Sequence, residues 1–322
     1  MNRSIYLCAA LATALAVSCG GGPDFGGLPP ATLTASNSST WARASAPNMW
    51  AYGIFPLFAG MSIGTMADPA CPVRTVNGSE TTLSGGCTDT SGRMFTGTVH
   101  ATGLSSSGTT NSVPTGATYD HWTVTQMCMG QMSTFTADGS FTSTPAGDVT
   151  NFQVHLTLTG NGTDISTSSM SGCMVSSGAS TSNRVVVDYS GSYTGTTVSF
   201  GSTAPPSTWN GSGRFGTTQL GVLSTTTHDE LLNQMTCQYT PLSGTTTITA
   251  GSDTAVITYQ GASTCDMMAS AAWTLNGAAQ PNLTGISCSV TGPIGSRRGV
   301  TTPLVACAAI AAMYGARRKR KV

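Results

Sequence analysis

The strongest constraint on this chain is a two-residue period that runs from about Cys71 to about residue 290. Phe152-Gln153-Val154-His155-Leu156-Thr157-Leu158 alternates apolar and polar residues, and Tyr119 to Thr125 does so around Trp122 and Val124. Alternation of this kind puts one set of side chains on each face of a half-buried strand. Arg184 to Tyr189 and Thr254 to Tyr259 read as further strands. Turn signals punctuate them: Asn77-Gly78, Asp138-Gly139, Asn161-Gly162, Asn210-Gly211 and Asn276-Gly277, with Asp89-Thr90-Ser91-Gly92 before Met94-Phe95 as another hairpin. Roughly a dozen or more strands with short links predict a mainly β fold, a large antiparallel meander over 71–290, rather than alternating βαβ units. A meander of that size must curve, fold into a sandwich or roll into a barrel.

Composition agrees. Only 8 % of the residues are charged, against about 25 % in ordinary soluble domains. Threonine, serine and glycine take the solvent positions, and β-branched threonine suits a pleated surface. Before the meander, Trp41 to Ala67 gathers Trp41, Met49, Trp50, Tyr52, Ile54, Phe55, Leu57, Phe58, Met61 and Ile63 around Pro56. So dense an apolar run predicts a kinked helical segment over 41–70, packed on the sheet. Residues 19–40, rich in Gly, Pro, Ser and Thr, are expected to be a flexible tether.

The N-terminus carries a second kind of information. Arg3 precedes an apolar run from Ile5 to Val17, and Leu15-Ala16-Val17-Ser18-Cys19 then opens into Gly20-Gly21-Gly22-Pro23. This is the order of a secretory signal over 1–18. A cysteine at the cleavage point resembles the lipobox of bacterial lipoproteins. The resemblance implies that Cys19 becomes an acylated N-terminus, anchored in the cell envelope at the outer membrane or cell surface rather than the inner membrane. Cys8 lies inside the signal and leaves with it.

At the other end (291–322), Pro303 to Ala316 is small and apolar and is followed by Arg317-Arg318-Lys319-Arg320-Lys321. Its fourteen residues fall short of the ~20 that cross a bilayer, and reaching back to Val300 gives seventeen. The basic run favours the cytoplasmic side. An apolar segment with a basic cap resembles a bacterial sorting tail, nearest to those of myxobacterial surface proteins. The upstream cysteine of that pattern falls here to Cys288 or Cys307. The alternatives are a permanent single span, a second attachment to the membrane, or a plain extension.

Between the two ends the chain keeps five arginines, no lysine and all thirteen acids, a net charge of −8. An acidic domain lacks the basic footprint that nucleic acid requires. Seven cysteines remain after Cys8, Cys19 and Cys307, an odd number. Pairing neighbours gives Cys71–Cys87, Cys128–Cys173 and Cys237–Cys265 as one of fifteen connectivities. Closing the first loop contributes about 3 kcal/mol on the chain-entropy model. With neither a Cys-x-x-Cys nor a paired histidine in the sequence, no metal site is expected.

Candidate chemistry is thin. Gly211-Ser212-Gly213-Arg214-Phe215-Gly216 fits G-x-G-x-x-G, yet its neighbourhood is β, and a dinucleotide site needs a helix after the motif. His228-Asp229-Glu230 and Asp120-His121-Trp122 are the densest polar clusters, with His228 to Met235 read as a helical turn or bulge. No Gly-x-Ser-x-Gly elbow accompanies them. His100, His121 and His155 fall in strands. Asp89, Asp253 and Asp266 lie in turn-rich stretches without a calcium-loop spacing. Asn37, Asn77, Asn161, Asn210 and Asn282 fit Asn-x-Ser/Thr, as expected by composition alone. The sequence therefore predicts no cofactor and no catalytic residue, hence a non-enzymatic, lipid-anchored β-domain with a structural or interaction role. The alternative is a carrier that holds an apolar ligand or lipid between the sheet and the Trp41 segment.

Overall fold

The computed structural model describes residues 23–38, 41–42, 70–103, 115–128, 131–161, 182–194, 206–218, 220–232, 241–260 and 270–284. The expected signal (1–18), the C-terminal tail (291–322), Cys19, Cys173, Cys237 and Cys265 lie outside them, as do residues 43–69 of the expected helical segment.

The period-two region forms one antiparallel sheet of fourteen strands: β1 (Val73–Asn77), β2 (Glu80–Ser84), β3 (Cys87–Thr88), β4 (Met94–Thr102), β5 (Gly116–Cys128), β6 (Gln131–Ala146), β7 (Val149–Asn161), β8 (Ser182–Thr194), β9 (Ser207–Thr217), β10 (Gly221–Leu232), β11 (Ser243–Ala250), β12 (Asp253–Gln260), β13 (Ser270–Leu275) and β14 (Ala278–Thr284). Each strand pairs with its neighbours in chain order, except that β2 and β3 both lie on β4. The path runs from β1 to β14 without closing. The mainly β antiparallel meander is thus what the chain forms. The expected disulfide between Cys71 and Cys87 is present, with an S–S distance of 2.09 Å.

One face is buried from β2 to β14. Phe95, Val99, Tyr119, Trp122, Phe135, Phe152, Val154, Leu156, Tyr189, Trp209, Phe215, Leu223, Ile248, Ile257 and Trp273 belong to a single core cluster. The aromatic residues meet in an edge-and-stack group: Tyr193 lies 4.6 Å from Trp209, and Phe152 lies 5.5 Å from Trp209 and 5.8 Å from Tyr189. The other face is largely hydroxyl. Threonines pair across strands there, Thr123 with Thr136 at 2.9 Å and Thr125 with Thr134 at 3.1 Å, the cross-strand contacts that stabilise a pleated surface.

Two of the expected turns are not turns. Asp138-Gly139 sits in the middle of β6 and Asn210-Gly211 in the middle of β9. Each faces a bulge in the adjacent strand, at residues 120–121 of β5 and 228–229 of β10. The clean alternation read across Tyr119 to Thr125 is broken by the first of these. Asn77-Gly78 and Asn276-Gly277 do link β1 to β2 and β13 to β14.

Residues 24–31 depart from a free tether; they are strapped to the outer face of the sheet at the end that carries the β9–β10 and β11–β12 turns, its lower end. Arg184 Nη1 donates to the Gly26 carbonyl at 2.6 Å, its Nη2 donates to the Asp24 carbonyl, and the guanidinium lies 3.8 Å from the Asp24 carboxylate. Phe25 covers the Arg214 guanidinium at 4.2 Å. Pro30 bridges to Val222, with Val222 N–H on the Pro29 carbonyl and Ala31 N–H on the Val222 carbonyl. Gly221 is pressed by that backbone at 2.5–2.6 Å from an added Cβ, and its φ of +79° also suits glycine alone. Leu33, Trp41 and Ala42 then enter the main core. Trp41 packs edge-on against Trp273 with ring centroids 5.4 Å apart and donates Nε1–H to Asn37.

Candidate functional site

The two polar clusters of the sequence owe their composition to bulges. A bulge inserts one unpaired residue and lets two successive side chains face the same way. Tyr119 and Trp122 are both buried while Asp120 and His121 between them are exposed; Thr227 and Glu230 are buried while His228 and Asp229 are exposed. His121 and Asp229 take φ of +47° and +51°, conformations that few side chains tolerate and that Asn, Asp and His tolerate best. The same device fastens each. The His121 N–H donates to Asp138 Oδ1 and the Asp229 N–H donates to Asn210 Oδ1, both at 2.9 Å. That is why Asp138 and Asn210 stand mid-strand.

On the outer face, every histidine meets a carboxylate. His100 lies 3.3 Å from Glu80, His155 2.8 Å from Asp188 and His228 3.1 Å from Asp229. His121 lies 3.0 Å from Asp120 and 3.2 Å from Asp138. The hydrogen bond that His121 donates to the Asp120 carboxylate, aided by the charge of Asp138, raises the imidazole above its ordinary value. Potential ligand atoms of Asp120, His121 and Asp138 lie within 4.8 Å of one another, a grouping that can take a divalent cation. Sequence reading missed it because Asp138 arrives from β6. All three already serve the bulge, however, and Asp120 and His121 are open to water.

The buried face holds the more unusual group. Just past the second bulge, Glu230 points into the core and is fully buried. Thr246 Oγ1 donates to Glu230 Oε1, and Thr246 Oγ1 lies 3.3 Å from the Tyr259 hydroxyl. Glu230 Oε2 and Trp122 Nε1 are buried without a hydrogen-bond partner, and the Tyr189 hydroxyl is directed at the Thr227 hydroxyl. Burial pushes the Glu230 carboxyl up to about 8, the Thr246 bond opposing it only in part. Near neutral pH the side chain is therefore mostly a neutral acid. Burial also raises Tyr189 and Tyr259, with the nearby Glu230 adding to it.

The glycine motif explains itself here. An added Cβ on Gly211 falls 2.6 Å from the Tyr189 hydroxyl and 2.7 Å from its Cε1, and one on Gly213 falls 2.9 Å from Tyr189 Cβ. The Tyr189 ring crosses β9 over these two bare positions, toward Thr227 on β10. The motif is a seat for a ring, and no helix follows it: β10 does.

The chain matches no protein-family model, no curated protein and no solved structure.

The remaining sequence candidates have structural roles. Asp89 is buried in the loop between β3 and β4, where it accepts from Ser91 N–H, Ser91 Oγ, Arg93 N–H and Arg93 Nε at 2.6–2.9 Å. Burial works to raise this carboxyl, but the bonds from Ser91 and Arg93 outweigh it and hold it below the ordinary value. Its oxygens are thus engaged by donors. Asp253 and Asn276 join the two lower turns at 3.0 Å. Thr34 caps the short turn Ala35–Asn37, and Asn37 Oδ1 accepts from the Thr34 N–H in return. Cys128 ends β5, and Asp266 lies outside the described residues.

Proposed function

We propose that this chain is a non-enzymatic lipoprotein of the bacterial cell envelope, held by an acylated Cys19 at the outer membrane or cell surface. It presents the disulfide-linked β-domain in a structural or interaction role. The observation that carries this reading is the continuity of anchor and domain. The signal read over 1–18 would leave Cys19 as the first residue, and from Asp24 onward the chain is fastened to the sheet by Arg184, Arg214 and Val222. Among the described residues the four histidines each face a carboxylate, Asp138 holds a bulge and Asp89 holds a loop, which supports it as well. Replacing Cys19 by serine is expected to move the mature protein from the membrane fraction to the soluble fraction. Unchanged fractionation contradicts the reading.

A carrier of lipid or another apolar ligand is the second reading. Trp41 on Trp273 favours it, since the Trp41 segment begins on the buried face. So does the unpartnered Glu230 Oε2 on the same face, which suits the polar group of an amphipathic guest. Native mass spectrometry of the purified protein separates the readings: a co-purifying lipid supports carriage, and a consistently bare mass contradicts it.

A further inference from the structure

The strap that binds residues 23–33 to the sheet also limits where the sheet can stand. This argument rests on the reading of Cys19 as an acylated N-terminus. Three residues separate Cys19 from Pro23, so the two Cα atoms lie at most about 14 Å apart. An acyl anchor places Cys19 at the boundary of the hydrocarbon, beneath a headgroup layer roughly 5–8 Å thick. The first residue of the strap therefore lies at most about 9 Å above the headgroups. A freely swinging domain would need slack beyond that point, and the strap removes it.

Its fastenings are spread along the chain: Asp24 and Gly26 on Arg184, Phe25 on Arg214, and Pro29 to Ala31 on Val222. Added Cβ atoms on Gly216 would meet Leu28 and Phe25 at 2.7 and 3.2 Å. Val186, the register partner of Gly216, is fully buried although it belongs to the outer face. The strap thus seals a small apolar patch of its own. A shallow groove runs along it, lined by Pro23, Phe25, Leu28, Pro30, Arg214 and Val222.

Charge distribution points the same way. The domain is strongly acidic, yet this patch holds Arg184 and Arg214 against Asp24 and Asp188, two of the five arginines between Cys19 and residue 290. Its neutrality spares it the repulsion that an anionic bilayer exerts on the acidic parts of the surface.

We propose that the strap and its groove lie against the lipid headgroups, so that the lower end of the sheet faces the membrane and the opposite end points outward. Cross-strand register supplies the ruler. Gly216 stands level with Thr157 through Val186, and the turn at Ser252 falls within about one residue of that level. The turn at Asp148 lies about ten residues, roughly 33 Å, farther along the strands.

The test uses the full acylated chain in vesicles of phosphatidylethanolamine and phosphatidylglycerol with a headgroup-labelled acceptor lipid. A fluorophore is introduced by a non-canonical amino acid at Ser252 or at Asp148, both exposed turn positions. Energy transfer from position 252 is expected to exceed that from 148 by about threefold or more, given a height difference near 33 Å. Equal transfer, or stronger transfer from 148, overturns the orientation while leaving the anchor intact. If the wild-type chain stays with the vesicles no better than Cys19→Ser, the anchor itself fails and takes the orientation with it.

Discussion

Glu230 is a carboxylic acid in a hydrophobic core, and its consequence is measurable as a pH dependence. Its folded-state value is raised from 4.5 to about 8, so the unfolded chain gives up this proton first. Between those values the folded state binds more protons than the unfolded one, and stability falls as pH rises through the window. Glu230→Gln removes this titrating group. It is expected to change little near pH 4 and to gain roughly 4 kcal/mol at pH 8 relative to wild type, read by urea unfolding across pH. A wild-type stability that is flat from pH 5 to pH 8 contradicts the burial of an unpaired acid.

Asp89 carries the opposite sign. Its carboxyl is held low, so its contribution is complete above the unfolded value and disappears as pH falls through the folded one. Asp89→Asn is expected to lose about 1–3 kcal/mol at pH 7, and the deficit should shrink in acid. His121 is raised instead, so its stabilisation is present in acid and fades as pH rises past its folded value. These residues differ in how visible they are in a sequence. Asp89 announces a turn by its neighbours Ser91 and Gly92. Glu230 does not announce itself, because its inward direction depends on a bulge two residues earlier that shifts the phase of β10.

At the scale of elements, the period-two pattern was sufficient to find the strands, and it failed where local chemistry has two uses. Asx-Gly marks a hairpin when it links strands, as Asn77-Gly78 does. Asp138 and Asn210 use the same side-chain oxygen to hold a bulged N–H on the next strand. The two uses look alike until the pairing partner is known. The strap was unreadable for a related reason: Gly, Pro and Thr suggest a loose segment, and the arginine that fixes it lies 160 residues away in sequence. Two substitutions probe these elements. Gly211→Ala pushes a methyl against the Tyr189 ring and the Ser190 carbonyl and is expected to cost about 1–3 kcal/mol in chemical denaturation; wild-type stability in this variant contradicts the close packing of β8 on β9 at this glycine. Arg184→Ala should leave the cooperative unfolding of the sheet intact while speeding proteolysis within residues 23–31; an unchanged digestion rate contradicts the strap.

For the whole molecule, a single sheet must hold itself together over fourteen strands with one buried face and few charges. Antiparallel neighbours in chain order keep every link local across the sheet. The aromatic group around Trp209 and Phe152 packs the middle of that face. The disulfide joins Cys71, just before the exposed edge strand β1, to Cys87 across 16 residues; replacing both cysteines by alanine is expected to lower stability by about 3 kcal/mol. The proposed envelope role rests on one residue, Cys19. The direct measurement is the mass of the N-terminal peptide from protein purified out of the membrane fraction. The account predicts a peptide that begins at Cys19 and carries diacylglycerol, with or without a further acyl chain. A peptide that begins elsewhere, or at an unmodified Cys19, would contradict it.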